Sequence, residues 1–128
     1  MPTLDQQRAA LAFEHVSRFE PKTDPAKKYA TMVHKLPALI TSAGLCQALH
    51  FVKSRGNDDQ KKLLEDLARQ LVRVDSKIKD ADSLLRRVRE AELPEYLRLT
   101  HEARVCASWY RRMVQGVLKI DASESDGE

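Results

Sequence analysis

The chain has 128 residues, of which 42% are apolar and 32% are charged. This much apolar surface can offset the entropy of ordering the chain, which excludes disorder as its main state. The length suits one domain that needs neither a metal nor a disulfide to be stable. Residues 1–120 hold 22 bases and 15 acids, a formal charge of +7, whereas residues 121–128 hold four acids and no base. A basic body of this kind favours an anionic partner without naming one.

The sequence has no pattern that would direct the chain to a membrane or out of the cell. It contains no apolar run of about 18 residues, as a membrane span requires. The first residues include Asp5 and no apolar stretch, unlike a secretory signal. Cys46 and Cys106 are far apart and each has apolar neighbours, which favours two buried thiols over a disulfide. We therefore expect a cytoplasmic protein.

Helical periodicity dominates the first part of the chain. Thr3 is predicted to cap a first helix, with Gln6 as its capping-box partner, and Pro21 is predicted to end it. A second helix is predicted to begin at Asp24 as its N-cap, and Pro37 is predicted to kink or break it. The residues predicted to face inward on these helices are Ala9, Ala12, Phe13, Val16, Phe19, Tyr29, Met32, Val33, Leu36 and Ile40.

The middle of the chain has the same period. Gly44 is predicted to end the second helix in the left-handed αL conformation, and a third helix follows over residues 45–54. Asn57 or Asp58 is predicted to cap a fourth helix over residues 59–74.

The last predicted elements are a linker and two helices. Residues 75–82 are predicted to be the linker, with Asp82 or Ser83 capping a short helix. Pro94 is predicted to open a long last helix, in which Gly116 indicates close helix packing. No stretch alternates with period two. We therefore predict a compact, single-domain all-α bundle of five to seven helices over residues 1–120, followed by a disordered acidic tail over residues 121–128.

Catalytic and metal-binding patterns are scarce. None of the four histidines pairs with another at helical metal-site spacing, there is no C-x-x-C, and the glycines stand alone. Most carboxylates have a base within one turn, as Asp66 has with Arg69, which predicts surface ion pairs. We predict no metal and no cofactor. A cysteine-dependent enzyme using Cys46 or Cys106 stays open as a minor hypothesis, because a catalytic histidine is adjacent in space rather than in sequence.

The bases are grouped along the predicted helices. Lys28 and Lys35 lie two turns apart on one face of the second helix, and Arg104 and Arg111 share a face of the last helix. Spread positive charge of this kind suits a phosphate backbone. Spacing alone nevertheless favours a solvated helical face that keeps the protein soluble. Few aromatic residues lie among the bases, so nucleic-acid binding would use shape and backbone rather than base readout.

Three stretches together resemble a known family. They are residues 5–12, DQQRAALA, residues 27–56, KKYATMVHKLPALITSAGLCQALHFVKSRG, and Glu102-Ala103 followed by Trp109 and Arg112. In this order they resemble the opening, the most distinctive region and the last-helix motif of the small subunit of the type III-B CRISPR effector, the Cmr complex. Residues 57–98 and the acidic tail match no pattern of that family.

The resemblance implies a function in antiviral defence. It implies a small all-α subunit that is not an enzyme and that stacks along the guide RNA–target RNA duplex of a ribonucleoprotein. Its implied partners are copies of itself, the repeating backbone subunit and the large subunit. Because base pairing selects the sequence in RNA-guided systems, the protein needs only backbone contacts.

We predict that bases inside or near the matched stretches contact RNA phosphates. These residues are Lys27, Lys28, Lys35, Lys53, Arg55, Arg111 and Arg112. The residues of the same stretches that we predict to lie in the core are Tyr29, Leu36, Pro37, Leu45, Leu49 and Trp109. The alternative is a helical protein–protein adaptor that does not bind nucleic acid, in which the same bases are solvated or meet acidic partner surfaces.

Overall fold

A computed structural model describes residues 1–122, and six α-helices occupy most of this part of the chain. The helices are α1 (Leu4–Ser17), α2 (Asp24–Ala43), α3 (Leu45–Arg55), α4 (Asp58–Leu71), α5 (Ala81–Glu90) and α6 (Leu93–Gly116). No strand occurs within the described part, so the predicted all-α class is confirmed. Of the predicted acidic tail, Asp121 and Ala122 are described and exposed, and residues 123–128 lie outside the described residues.

Local sequence signals determine where two of the helices begin. At α1, the Thr3 hydroxyl accepts from the Gln6 N–H at 3.1 Å, and the Gln6 side chain accepts from the Thr3 N–H at 2.7 Å. Asn57 and Gln60 form the same reciprocal pair at the start of α4, at 2.9 and 3.0 Å. Each capping box satisfies two main-chain donors that the helix itself cannot satisfy. Both predicted caps are therefore confirmed.

Two other predicted caps are wrong. Asp24 is the first residue of α2, and Thr23 is the N-cap, with its hydroxyl accepting the N–H three residues on. Asp80, rather than Asp82 or Ser83, caps α5, since its carboxylate accepts from the Ser83 N–H at 2.8 Å. In both places several capping residues are adjacent in the sequence, and the path of the incoming chain selects among them.

The structure also bears on the predicted break at Pro37 and the predicted close packing at Gly116. Pro37 does not break α2, which runs unbroken from Asp24 to Ala43, because packing on three neighbouring helices offsets the missing hydrogen bond. Gly116 is the last residue of α6, and an added methyl group would meet no atom within 4 Å. Close packing therefore does not explain Gly116. Gly44 ends α2 with φ 89° and ψ 160°, so its φ is positive but the predicted αL conformation is wrong.

Helix α2 lies at the centre of the bundle. It packs against α3, α4 and α6, while α1 packs mainly on α6, and α5 lies on α3 and α4. Five consecutive residues of α2, 29–33, are buried, so this stretch is covered around its circumference. On α1 the buried stripe runs through Ala12, His15 and Val16. Phe13 lies to one side of that stripe and is 53% exposed, so its predicted inward position is wrong.

A buried carboxylate joins three helices. Asp66 of α4 is 2% exposed. Its oxygens accept two hydrogen bonds from the Arg18 guanidinium, at 2.8 and 2.7 Å, and one from the Tyr29 hydroxyl at 2.5 Å. The predicted surface pair of Asp66 with Arg69 is therefore wrong, because position 66 lies on the same inward face of α4 as the buried leucines. Arg18 just after α1, Asp66 of α4 and Tyr29 of α2 form one polar junction.

Helix α6 enters the same junction through Tyr110. His15 Nδ1 lies 2.6 Å from the Tyr110 hydroxyl and 3.5 Å from the Asp66 carboxylate. Gln70 donates to the Tyr110 hydroxyl and to the Arg8 carbonyl, both at 3.2 Å. Burial lowers the pKa of His15, although the Asp66 carboxylate opposes this shift. The imidazole is thus held in its neutral form within the core.

A second buried ion pair fastens α1 to α6. The Arg8 guanidinium donates two hydrogen bonds to the Glu102 carboxylate, each 2.7 Å long. Glu102 is 3% exposed, and Arg73 of the chain after α4 lies 3.6 Å from it. The hydrogen bond from Arg8 lowers the pKa of Glu102 despite its burial. This paired geometry explains why a carboxylate can be buried between two helices.

Replacing Asp66→Ala is predicted to lower the free energy of unfolding by about 3 kcal/mol, because the Tyr29 hydroxyl loses its buried acceptor. Asp59→Ala is the control on the same helix, since Asp59 forms a surface pair with Lys62 at 3.1 Å. It is predicted to cost about 1 kcal/mol or less. Urea denaturation followed by circular dichroism measures both values, and equal losses would contradict the assignment.

The free energy of unfolding is also predicted to fall as the pH drops from about 7 to about 5.5. The pKa of His15 is lowered from 6.5 in the folded chain, so the unfolded chain takes up the proton first. His15→Gln is predicted to flatten this dependence in urea denaturation over the same pH range. A variant that keeps the full slope would show that another group is responsible.

Candidate nucleic-acid interface

Residues 1–122 contain no group of three or more side chains able to hold a metal ion, and no helix among them is long and apolar enough to cross a membrane. Both cysteines are free, and Cys106 is fully buried in α6, as predicted. Burial, reinforced by the nearby Glu102 carboxylate, raises the pKa of Cys106 to about 12. Cys46 is half-buried rather than buried, which corrects its predicted position.

Five of the seven predicted contact residues lie in a stretch that contains no acid. The chain has no Asp or Glu between Asp24 and Asp58. Helices α2 and α3 pack against each other across Gly44, so this stretch, residues 25–57, forms one unit that we call the basic hairpin. Its bases are Lys27, Lys28, Lys35, Lys53 and Arg55. The remainder of residues 1–120 holds 17 bases and 15 acids, so most of the net positive charge lies on the basic hairpin.

The bases of the hairpin lie on its outer surface. Lys27, Lys35, Lys53 and Arg55 are exposed, and Lys28 is half-buried. Lys28 and Lys35 are seven residues apart and therefore lie on the same side of α2. The apolar residues of the hairpin point inward, which confirms the predicted core positions of Tyr29, Leu36, Leu45 and Leu49, while Pro37 is only half-buried. The bases are thus displayed by a helix pair whose inner side is fixed in the core.

The charge around Lys53 differs from that along α2. Lys53 lines a cleft with two further lysines and three carboxylates. The other charged residues of this cleft are Asp58, Lys61, Lys62, Glu65 and Asp82. Positive and negative charges are therefore balanced at the end of α3. On the α2 side, Lys27, Lys28 and Lys35 belong to a stretch without acids.

Arg111 and Arg112, the last two predicted residues, do not share a face. Consecutive side chains on a helix point about 100° apart. Arg112 lines a shallow depression with Trp109 and Asp5, where the half-buried Trp109 indole donates to the Asp5 carboxylate at 2.9 Å. Arg111 lies instead on the face of α6 that carries Arg104. The two arginines therefore lie on different sides of α6.

The structure also brings Arg104 to the border of the basic hairpin. Its guanidinium donates to the Thr41 hydroxyl of α2 at 2.9 Å. Arg104 and Arg111 thus extend the positive surface of α2 across the junction with α6. Arg104 was not among the predicted contacts, although its seven-residue spacing from Arg111 was visible in the sequence.

The fold and its surface define a compact all-helical protein with one strongly basic helical hairpin. The family model of the CRISPR-associated protein Cas_Cmr5 matches residues 4–117 of the chain. The chain therefore belongs to the Cas_Cmr5 family of CRISPR-associated proteins, which confirms the resemblance identified from the three sequence stretches.

A curated protein and a crystal structure are similar to almost the whole chain. The CRISPR system Cmr subunit Cmr5 of Thermus thermophilus is 41% identical over 119 residues, which cover 93% of this chain and 99% of the relative. The X-ray crystal structure of a CRISPR-associated Cmr5 family protein, also from Thermus thermophilus, has the same fold, with a TM-score of 0.81 at 41% identity. This match covers 92% of this chain and 99% of the crystallised chain.

The thiol of Cys106 is predicted to be unreactive in the folded protein, because it is buried and its pKa is raised to about 12. Titration with Ellman's reagent at about pH 8 measures this in a Cys46→Ala variant, where only Cys106 can react. The thiol is expected to appear only when denaturant is added. Rapid reaction in native buffer would support a cysteine-dependent enzyme.

Proposed function

We propose that the chain is a non-catalytic small subunit of a type III-B CRISPR ribonucleoprotein and that its basic surface contacts the phosphate backbone of the guide RNA–target RNA duplex. Membership of the Cas_Cmr5 family and 41% identity to a Cmr subunit of Thermus thermophilus support its place in such a complex. The single observation that carries the RNA contact is the basic hairpin, with five bases and no acid over residues 25–57. A cytoplasmic location belongs to the same proposal.

The chemistry of the hairpin suits a backbone rather than a base sequence. Lysine is a flexible point charge that binds phosphate without fitted geometry. Five phosphate contacts would release about five counterions, so affinity would fall about 10²- to 10³-fold between about 50 and 200 mM salt. The hairpin carries no exposed aromatic residue on which a base could stack, because Tyr29 is buried and Phe51 is half-buried. Sequence selection would rest with the guide RNA.

Alignment of several copies would strengthen each contact. A formal charge of +7 on residues 1–120 is modest for a protein that binds RNA alone. When neighbouring copies lie along one duplex, each further contact becomes intramolecular and gains effective concentration. The proposed partners are accordingly copies of this chain, the repeating backbone subunit and the large subunit of the complex.

Neutralising the α2 lysines is predicted to weaken RNA binding for all sequences alike. The double variant Lys27→Ala/Lys35→Ala should lower the salt slope of binding by about two units, one per lost phosphate contact. Lys79→Ala/Arg86→Ala removes the same charge from exposed positions outside the basic hairpin and should leave the slope unchanged. The measurement is fluorescence anisotropy of an RNA duplex over a salt series, with the isolated chain and with the assembled complex.

The adaptor alternative predicts a different pattern in the same experiment. If hairpin and control variants bind RNA alike, the basic hairpin is not the RNA contact. If the hairpin variants instead fail to join the complex in the absence of RNA, these lysines contact a protein partner.

A further inference from the structure

The chain that follows α6 turns back onto α2. Leu118 is fully buried and Ile120 is 4% exposed, so this segment belongs to the core. The Ile120 N–H donates to the Val114 carbonyl at 3.1 Å, and Lys119 makes the turn with φ 59°. The Ile120 carbonyl lies 3.0 Å from His34 Nε2 on α2 and can only accept, so the imidazole donates. Residue 120 is therefore fixed against α2.

This anchor lies among the α2 lysines. His34 directly precedes Lys35 and is seven residues, or about two turns, from Lys27. Thr31 is 2% exposed, although Lys27 and Lys35 on either side of it are exposed. The surface of α2 at Thr31 is therefore covered, while the lysines on either side of it stay exposed. Ile120, the last buried residue of the described chain, lies beside this part of α2 through its contact with His34.

The segment after the anchor has the opposite charge. Residues 121–128 hold four acids and no base. Eight residues can extend about 26 Å, whereas Lys27 and Lys35 are separated by about 12 Å along the helix. The segment is thus long enough to reach every lysine of α2 from its anchor at Ile120.

We propose that the acidic segment 121–128 docks on the lysine face of α2, formed by Lys27, Lys28 and Lys35, and competes there with RNA phosphate. The competition rests on the function proposed above, whereas the docking does not. Tethering beside the face supplies an effective concentration in the millimolar range, which offsets the weakness of exposed ion pairs. Four carboxylates against three ammonium groups nearly balance the charge of the face. A duplex with its much denser charge would displace the segment.

The docking can be tested without RNA. Limited acetylation followed by mass spectrometry measures the reactivity of each lysine amine in the full chain and in a chain that ends at Ala122. Lys27, Lys28 and Lys35 are expected to react at least about two-fold faster in the shortened chain at low salt, whereas the exposed Lys79 should not change. Glu124→Gln/Asp126→Asn/Glu128→Gln keeps the length and should reproduce the effect. Equal reactivity in all three chains would overturn the docking.

The competition is tested by RNA affinity in the same chains. The shortened and the neutralised chains are expected to bind an RNA duplex about three- to ten-fold more tightly than the full chain at low salt. The gain should vanish at high salt and in the Lys27→Ala/Lys35→Ala background, because screening or loss of the lysines removes the attraction. Faster acetylation without tighter RNA binding would support the docking and overturn the competition, together with the proposed RNA contact at this face.

Discussion

The Asp66 carboxylate is the point on which the arrangement of the helices depends. A buried carboxylate is costly unless every oxygen is paired, so its partners cannot move independently. Arg18 and Tyr29 bind it directly, and the Tyr110 hydroxyl lies 3.4 Å from the main-chain carbonyl of the same residue. These contacts set the relative rotation of α1, α2, α4 and α6. Apolar packing around these contacts supplies most of the stability, but it is not directional. The polar junction specifies which face of each helix points inward.

The rotation of α2 has a direct consequence for its surface. Since Tyr29 must reach Asp66, Lys28 and Lys35 are turned toward the other side of the helix. Residues 25–57, to which both lysines belong, contain five bases and no acid. A rigid core on one side and flexible ammonium groups on the other suit a backbone of regular charge better than a small ligand. The chain returning from α6 fixes Ile120 beside His34 on α2.

Much of the fold follows from local patterns, and most of the junction does not. The caps at Thr3 and Asn57 could be predicted, because each hydrogen bond spans three residues. The buried position of Asp66 does not follow from local patterns, because Arg69 is within one turn as a surface partner, whereas the actual partner, Arg18, is 48 residues away in the sequence. Of the candidate contacts on the hairpin, Lys27, Lys35 and Lys53 are exposed, whereas Lys28 is half-buried. The side of α6 on which Arg112 lies depends on how α6 packs on α1, so it could not be predicted from the sequence.

The central claim is that the α2 surface faces RNA in the assembled complex. Ala38 is exposed on α2, one turn beyond Lys35, and can carry a photocrosslinking side chain without removing any base. Glu90 at the end of α5 is the matched control, since it is exposed and outside the basic hairpin. Illumination of the complex, loaded with guide and target RNA, should link RNA to residue 38 and not to residue 90. Protein-only adducts at residue 38 would contradict the account.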